Sequence, residues 1–201
     1  MNSKTIETLL GCVLAIAPGA CASPLIYNFN TPGTPLGTSQ VYTSNGVTIT
    51  AYGFSNTGSS MQLFAKNDGG DEVGLGLNGT SDDEIGTTNF IQLDLTNVLA
   101  SHPSSILMSI GSVQGGEGWD IYVSNILGSR GTLLQTGTTD APAAFTLNSI
   151  PAGDDFVSVR ASGGNVLLSS LATTSSVPEP GSAAMIGAGL LALRMFVKRI
   201  R

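Results

Sequence analysis

Histidine occurs once in this chain, tryptophan once and cysteine twice, and only 11% of the residues are charged. Each scarcity excludes something. With His102 as the sole imidazole, a zinc centre built from His and Cys has no ligand set. The cysteines, Cys12 and Cys21, both fall in the first 22 residues, so the remainder holds no disulfide, thiol nucleophile or thiolate metal site. No Gly-x-Ser-x-Gly elbow is present to place a nucleophilic serine, and His102 beside Pro103 reads as a surface residue in a turn. Positive charge is scarcest of all. Between Ser23 and Ser176 only Lys66, Arg130 and Arg160 oppose twelve Asp and Glu, and three against twelve leaves −9. A body of that charge repels nucleic acid and anionic lipid and attracts cations, which excludes a nucleic-acid partner.

What the chain does have, at both ends, is apolar sequence of a targeting kind. The first 22 residues carry Lys4, an apolar run from Leu9 to Ala17, the helix breakers Pro18 and Gly19, and then Ala20-Cys21-Ala22. Small residues at Ala20 and Ala22 predict a signal peptide over 1–22, exported by the Sec machinery and cut by signal peptidase after Ala22. A lipoprotein signal ending at Cys21 is the alternative. At the other end, Gly181 to Val197 is apolar or small apart from Ser182 and Arg194. Seventeen residues at about 1.5 Å each reach about 25 Å, close to the thickness of a bilayer core. Arg194 lies near the end of the run, where a long side chain can reach head groups. Lys198, Arg199 and Arg201 follow as a positive stop, which predicts a membrane helix and cytoplasmic tail over 181–201.

Ahead of that helix stands Val177-Pro178-Glu179-Pro180. Two prolines around a glutamate hold the backbone extended and remove its donors, leaving a strip that a processing enzyme can grip. Pro-Glu-Pro, an apolar helix and a basic terminus in this order resemble the PEP-CTERM sorting signal of Gram-negative bacteria. The resemblance implies an inner-membrane-anchored precursor in contact with lipid, recognition of Pro178-Glu179-Pro180 by an exosortase, and release to the cell surface or an exopolysaccharide matrix. It transfers an address, not an activity.

Between the two signals the apolar pattern has period two. Val47, Ile49 and Ala51 alternate with Thr48, Thr50 and Tyr52. Ile91, Leu93 and Leu95 share one face and leave Gln92 and Asp94 on the other. Trp119, Ile121 and Val123 turn inward, with Asp120, Tyr122 and Ser124 outward. Further strands are expected within Leu25–Asn30, Met61–Ala65, Val73–Leu77, Ser105–Val113, Ala143–Leu147 and Phe156–Arg160, and a short helix in the stretch before Pro103. Short strands separated by Gly, Asn, Asp and Pro predict an all-β fold: an antiparallel β-sandwich or jelly-roll body over 23–171, with a Ser/Thr/Pro linker at 172–180. The stretches NDGGDEVGLGLNGTSDDEIG, NFIQLDL, SIGSVQGGEGWDIYVS and FVSVRASGGNVLLSSL are also similar to a group of exported PEP-CTERM proteins. In those proteins an acidic residue often stands where this chain has Gly86.

Three chemical readings follow. Asp71 and Glu72 lie in one glycine-flanked loop and Asp83 and Glu84 in another, where carboxylates and backbone carbonyls can surround calcium. A structural calcium ion and a solvated acidic surface are both compatible with that pattern. Tyr52, Tyr122 or Trp119 would supply the stacking face of a carbohydrate-binding module. Glu117, with Asp120 or another carboxylate, would supply a glycoside hydrolase. The leading expectation is a non-enzymatic exported protein with no catalytic residues, associated with the cell surface or extracellular polysaccharide.

Overall fold

β-Branched and aromatic residues at alternate positions bury one face of a strand, and two such sheets facing each other close a core. A computed structural model describes residues 23–29 and 35–174. The segment 1–22 expected to be a signal peptide, Val177-Pro178-Glu179-Pro180, Arg194, Lys198, Arg199 and Arg201 lie outside the described residues. Within the described part no helix is long and apolar enough to cross a membrane.

The elements run in the order β1 (Ile26–Asn28), β2 (Ser39–Ser44), β3 (Val47–Ser55), β4 (Ser60–Met61), β5 (Leu63–Gly69), β6 (Glu72–Leu77) and β7 (Asn89–Asp94). They continue with α1 (Thr96–Ala100), β8 (Ser105–Gly111), β9 (Gly118–Ser124), β10 (Thr132–Gly137), β11 (Phe145–Thr146), β12 (Phe156–Gly163) and β13 (Leu167–Thr174). They make two antiparallel sheets. The first has the order β11-β8-β13-β6-β5, with β1 also on β13. The second has the order β10-β9-β12-β7-β3-β2, with β4 also on β3. The expected sandwich and its short helix are therefore present. The strands β2, β10 and β13 were not among those expected, because SQVYTS, TLLQTG and LLSSLATT lack strict apolar alternation. Strand β13 also carries the body to Thr174, past the expected boundary at Leu171. Thr173 is buried there, and its hydroxyl accepts the Leu25 N–H at 3.1 Å.

Register explains the core. In the second sheet Ala51 pairs Leu93, Leu93 pairs Val157, and Val157 pairs Val123, so one row of apolar side chains crosses four strands. The first sheet answers with Leu75 opposite Leu168 and Leu168 opposite Ile110. All seven of these residues are 0–3% exposed, and each leucine or isoleucine contributes about 1.5–3 kcal/mol by leaving water.

The opposite face of the second sheet is not the open polar surface that alternation predicts. Gln92, expected outward, is fully buried, because the 125–131 loop folds back over it. Its Nε2 donates to the Ser129 carbonyl at 2.8 Å and to Ser158 Oγ at 3.2 Å, while its Oε1 accepts the Gly128 N–H at 2.7 Å. Tyr122 and Ser124, also expected outward, are 9% and 6% exposed. The guanidinium of Arg130 lies 4.5 Å from the centre of the Tyr122 ring, a cation–π contact that roofs it.

The first sheet is covered in a comparable way by the segment that leads from β6 to β7. Its closest approach is over Gly76, where a Cβ would collide with the Asp83 carbonyl and lie 3.0 Å from the Glu84 Cα. Gly76→Ala is therefore expected to destabilise the protein by about 1–3 kcal/mol, the usual range for overpacking. Gly115→Ala, with no neighbouring atom within 4 Å, is expected to be close to neutral. Urea midpoints of the two variants measure the difference, and equal midpoints would remove the close approach from the account.

Candidate functional site

Two of the four acidic residues expected to hold calcium come together, and two do not. Glu72 opens β6, and Glu84 follows a short 3-10 turn at Ser81–Asp83. Both reach Lys66 of β5. The Lys66 ammonium donates to Glu72 Oε2 at 2.7 Å and to Glu84 Oε1 at 2.6 Å. Ser112 Oγ, in the turn after β8, lies 2.8 Å from Glu72 Oε1 and 3.0 Å from Glu84 Oε1, with one proton to share between them. Gln114 Nε2 adds a contact to Glu72 at 3.3 Å. Lys66 and Glu84 are 6% and 3% exposed, unusual burial for charged side chains.

Asp83 instead accepts the Gly79 N–H at 2.7 Å and stabilises its own turn. Asp71 is exposed, and its backbone carbonyl accepts the Ser112 N–H at 3.1 Å. Its carboxylate faces Asp140, which burial lifts above the ordinary carboxylate range; the Asp71 charge adds to that lift, and the Val113 N–H opposes it. Among the described residues no three His, Cys, Asp or Glu side chains gather as a metal-ligating group. The cation between Glu72 and Glu84 is the chain's own.

One ammonium against two carboxylates leaves the cluster with an excess negative charge when both are ionised. Burial pushes the Glu84 carboxyl up, and Glu72 beside it adds to the shift; despite the opposing Lys66, Glu84 is raised to about 7. Burial also works against ionised Glu72, but hydrogen bonds from Lys66, Glu84 and Ser112 outweigh it and lower Glu72 to about 2. Burial alone would lower Lys66, and its bonds to both glutamates hold it above its ordinary value. The pair thus titrates as a unit that holds one proton near neutrality.

The other candidate positions have structural occupations. Glu117 accepts the Gln114 N–H at 2.8 Å and the Asn165 N–H at 3.3 Å, tying the β8–β9 loop to the turn before β13. Asp120 accepts from the Tyr122 hydroxyl at 3.1 Å and from Arg160 at 3.4 Å. Trp119 is a core residue, 2% exposed. Its indole N–H donates to the Thr139 carbonyl at 3.0 Å, and its ring stacks on Phe145 at 3.9 Å. It offers no sugar platform, and neither does the roofed Tyr122. Of the three aromatic candidates only Tyr52 is half-exposed, with Phe54 stacked at 6.3 Å. His102 is exposed, just beyond α1.

Sequence reasoning missed Lys66 and Ser112. One signal for Lys66 was available: LFAKNDG places it alone among apolar residues on a strand with carboxylates close behind.

Comparison with protein-family models, with curated proteins and with solved structures finds no match to this chain.

The cluster generates two expectations. Lys66→Met strands the buried Glu84 and leaves the half-buried Glu72 without its cation, at an expected cost of about 3 kcal/mol, whereas Glu84→Gln removes the excess charge, keeps an acceptor for Lys66, and is expected to stay within about 1 kcal/mol of wild type near pH 8. Equal losses in denaturant titrations would mean that the ammonium is not the centre. The second concerns pH. A carboxyl raised from 4.5 to about 7 on folding contributes stability that is complete below 4.5 and lost as pH climbs through 7. Glu72, lowered from 4.5 to about 2, contributes stability above 4.5 that is lost as pH falls through 2. The melting temperature is therefore expected to decline between about pH 5 and about pH 8, and Glu84→Gln to flatten that decline.

Proposed function

We propose that the chain is an exported, non-enzymatic β-sandwich protein of the cell surface or exopolysaccharide layer, delivered by a C-terminal sorting signal. The observation that carries this reading is the order of features at the end of the sequence. Pro178-Glu179-Pro180 is followed by the apolar run Gly181–Val197 and then by Lys198, Arg199 and Arg201, with an export signal at 1–22. In this reading Sec and signal peptidase handle the first segment. The tail anchors the precursor in the inner membrane, and an exosortase acts at Val177–Pro180 to free the body.

Two features of the body support it. The carboxylates that would serve a hydrolase, Glu117 and Asp120, are engaged in holding turns and strands together. The strands from β6 onward pair as β6-β13-β8-β11 and β7-β12-β9-β10. That winding supports the narrower description of the sandwich as a jelly roll, an architecture of two Greek keys frequent in binding and structural proteins. Calcium at Asp71, Glu72, Asp83 and Glu84 would act as a staple for a disulfide-free body. The Lys66-centred cluster makes that staple unnecessary, so the melting midpoint is expected to stay the same with and without EGTA; a fall of several degrees would restore the ion.

The intact mass of the protein recovered from medium and outer membrane tests the delivery. Loss of the first 22 residues and of the segment after the Pro-Glu-Pro strip is expected. Replacing Pro178, Glu179 and Pro180 together by alanine is expected to leave a longer, membrane-bound form. A substituted protein processed like wild type would overturn the sorting assignment.

A further inference from the structure

The segment pinned by Glu84 also walls a cavity of about 550 Å3 near the turn before β13. Its polar lining comes from Asn89, Asn165, Ser81, Thr87 and Thr88, with Met61 as an apolar member. No charged side chain lines it, although the body around it carries −9.

Two amides set its chemistry. Asn89, at the start of β7, is 4% exposed, and its Oδ1 accepts the Gly86 N–H at 2.8 Å. That bond fixes which way round the carboxamide sits, so Nδ2 is the end left over. Asn165 is held through its backbone N–H on Glu117 at 3.3 Å, and its carboxamide bonds to no described residue, so either end can turn toward the cavity. The two meet above Gly86. A Cβ there would lie 3.3 Å from Asn165 Oδ1 and 3.6 Å from Asn89 Nδ2. Glycine leaves open a small space with the Asn89 donor on one side and, on the other, an Asn165 amide that can donate or accept.

We infer that this cavity binds a neutral saccharide, with Asn89 and Asn165 reading hydroxyl groups and Gly86 providing the room. A hydroxyl both donates and accepts, which matches the paired amide ends; the Ser and Thr hydroxyls of the wall extend the same recognition. A carboxylate or phosphate would find no cation in the lining. A metal ion would find no carboxylate, and a flat aromatic ligand no ring to stack on. The volume lies within the roughly 300–1,000 Å3 typical of small-molecule sites. The inference deepens the proposed function, since it rests on the body working in a polysaccharide layer, and it places recognition away from Tyr52, Tyr122 and Trp119.

The test uses the full chain purified in detergent, applied to an array of neutral glucans, mannans and galactans beside alginate and polygalacturonate. Retention on at least one neutral glycan, with none preferred among the acidic ones, is expected. Gly86→Ala and Asn165→Ala are each expected to weaken it by on the order of ten-fold, the loss of one or two hydrogen bonds in a desolvated site. The melting temperature of Asn165→Ala should match wild type, because Asn165 is half-exposed; that of Gly86→Ala should fall by no more than a few degrees, because the added Cβ presses only on the ends of the Asn165 and Asn89 side chains. No neutral glycan retained, a preference for the acidic glycans, or retention undiminished in both variants would overturn the inference. The mass of the secreted protein is unaffected by any of these results, so failure of the sugar site and failure of the sorting assignment stay distinguishable.

Discussion

The ammonium of Lys66 is held between two carboxylates on a side chain that is almost wholly buried, and much of the first sheet's surroundings is arranged around that fact. Removing an ammonium and two carboxylates from water costs several kcal/mol per ion, recovered only with good geometry and full hydrogen bonding. Here the bonds are 2.7 and 2.6 Å, with Ser112 supplying the remaining donor. The result is less a source of stability than a constraint on position. β5, β6, the segment before β7 and the turn after β8 must all arrive together, or a charge is left stranded.

That constraint explains the course of the chain between β6 and β7. Glu84 is drawn onto the sheet, and Gly76 lacks the Cβ that would keep it away. Ile85 then pairs backbone to backbone with Val166 through bonds of 2.8 and 2.9 Å. Thr80 closes the turn with its hydroxyl 2.6 Å from the Leu77 and Glu84 carbonyls. Ser81, Thr87 and Thr88 lie along this pinned segment and so reach the cavity wall. The ion cluster and the neutral cavity are thus two faces of one loop, one facing the sheet and one facing solvent.

A body without cysteine depends on such internal ties. The second sheet uses neutral ones: Gln92 holds the 125–131 loop by its amide, and Arg130 closes over Tyr122. With Lys66 enclosed and Arg160 answered by Asp120, the cations of the body are largely spent on its own structure. The exposed charge is largely acidic and repels anionic surfaces.

Ile91, Leu93, Ile121, Val123, Ile49 and Ala51 announced their strands because period-two alternation is local, set by the direction of successive Cβ atoms. The all-β class and the short helix before Pro103 were legible for the same reason: each depends on neighbours in the chain. Alternation correctly placed Gln92, Tyr122 and Ser124 opposite the core, yet says nothing about a roof contributed from 125–131. The same limit applied to the acidic loops. Local spacing put Asp71 with Glu72 and Asp83 with Glu84, and only the folded backbone separated each pair, sending the glutamates to Lys66 and leaving the aspartates in their turns. The sequence by itself determined which residues can pair, bury or bend; the tertiary structure decided which partners they meet, because a buried charge answers to whatever stands within about 3 Å, however distant along the chain.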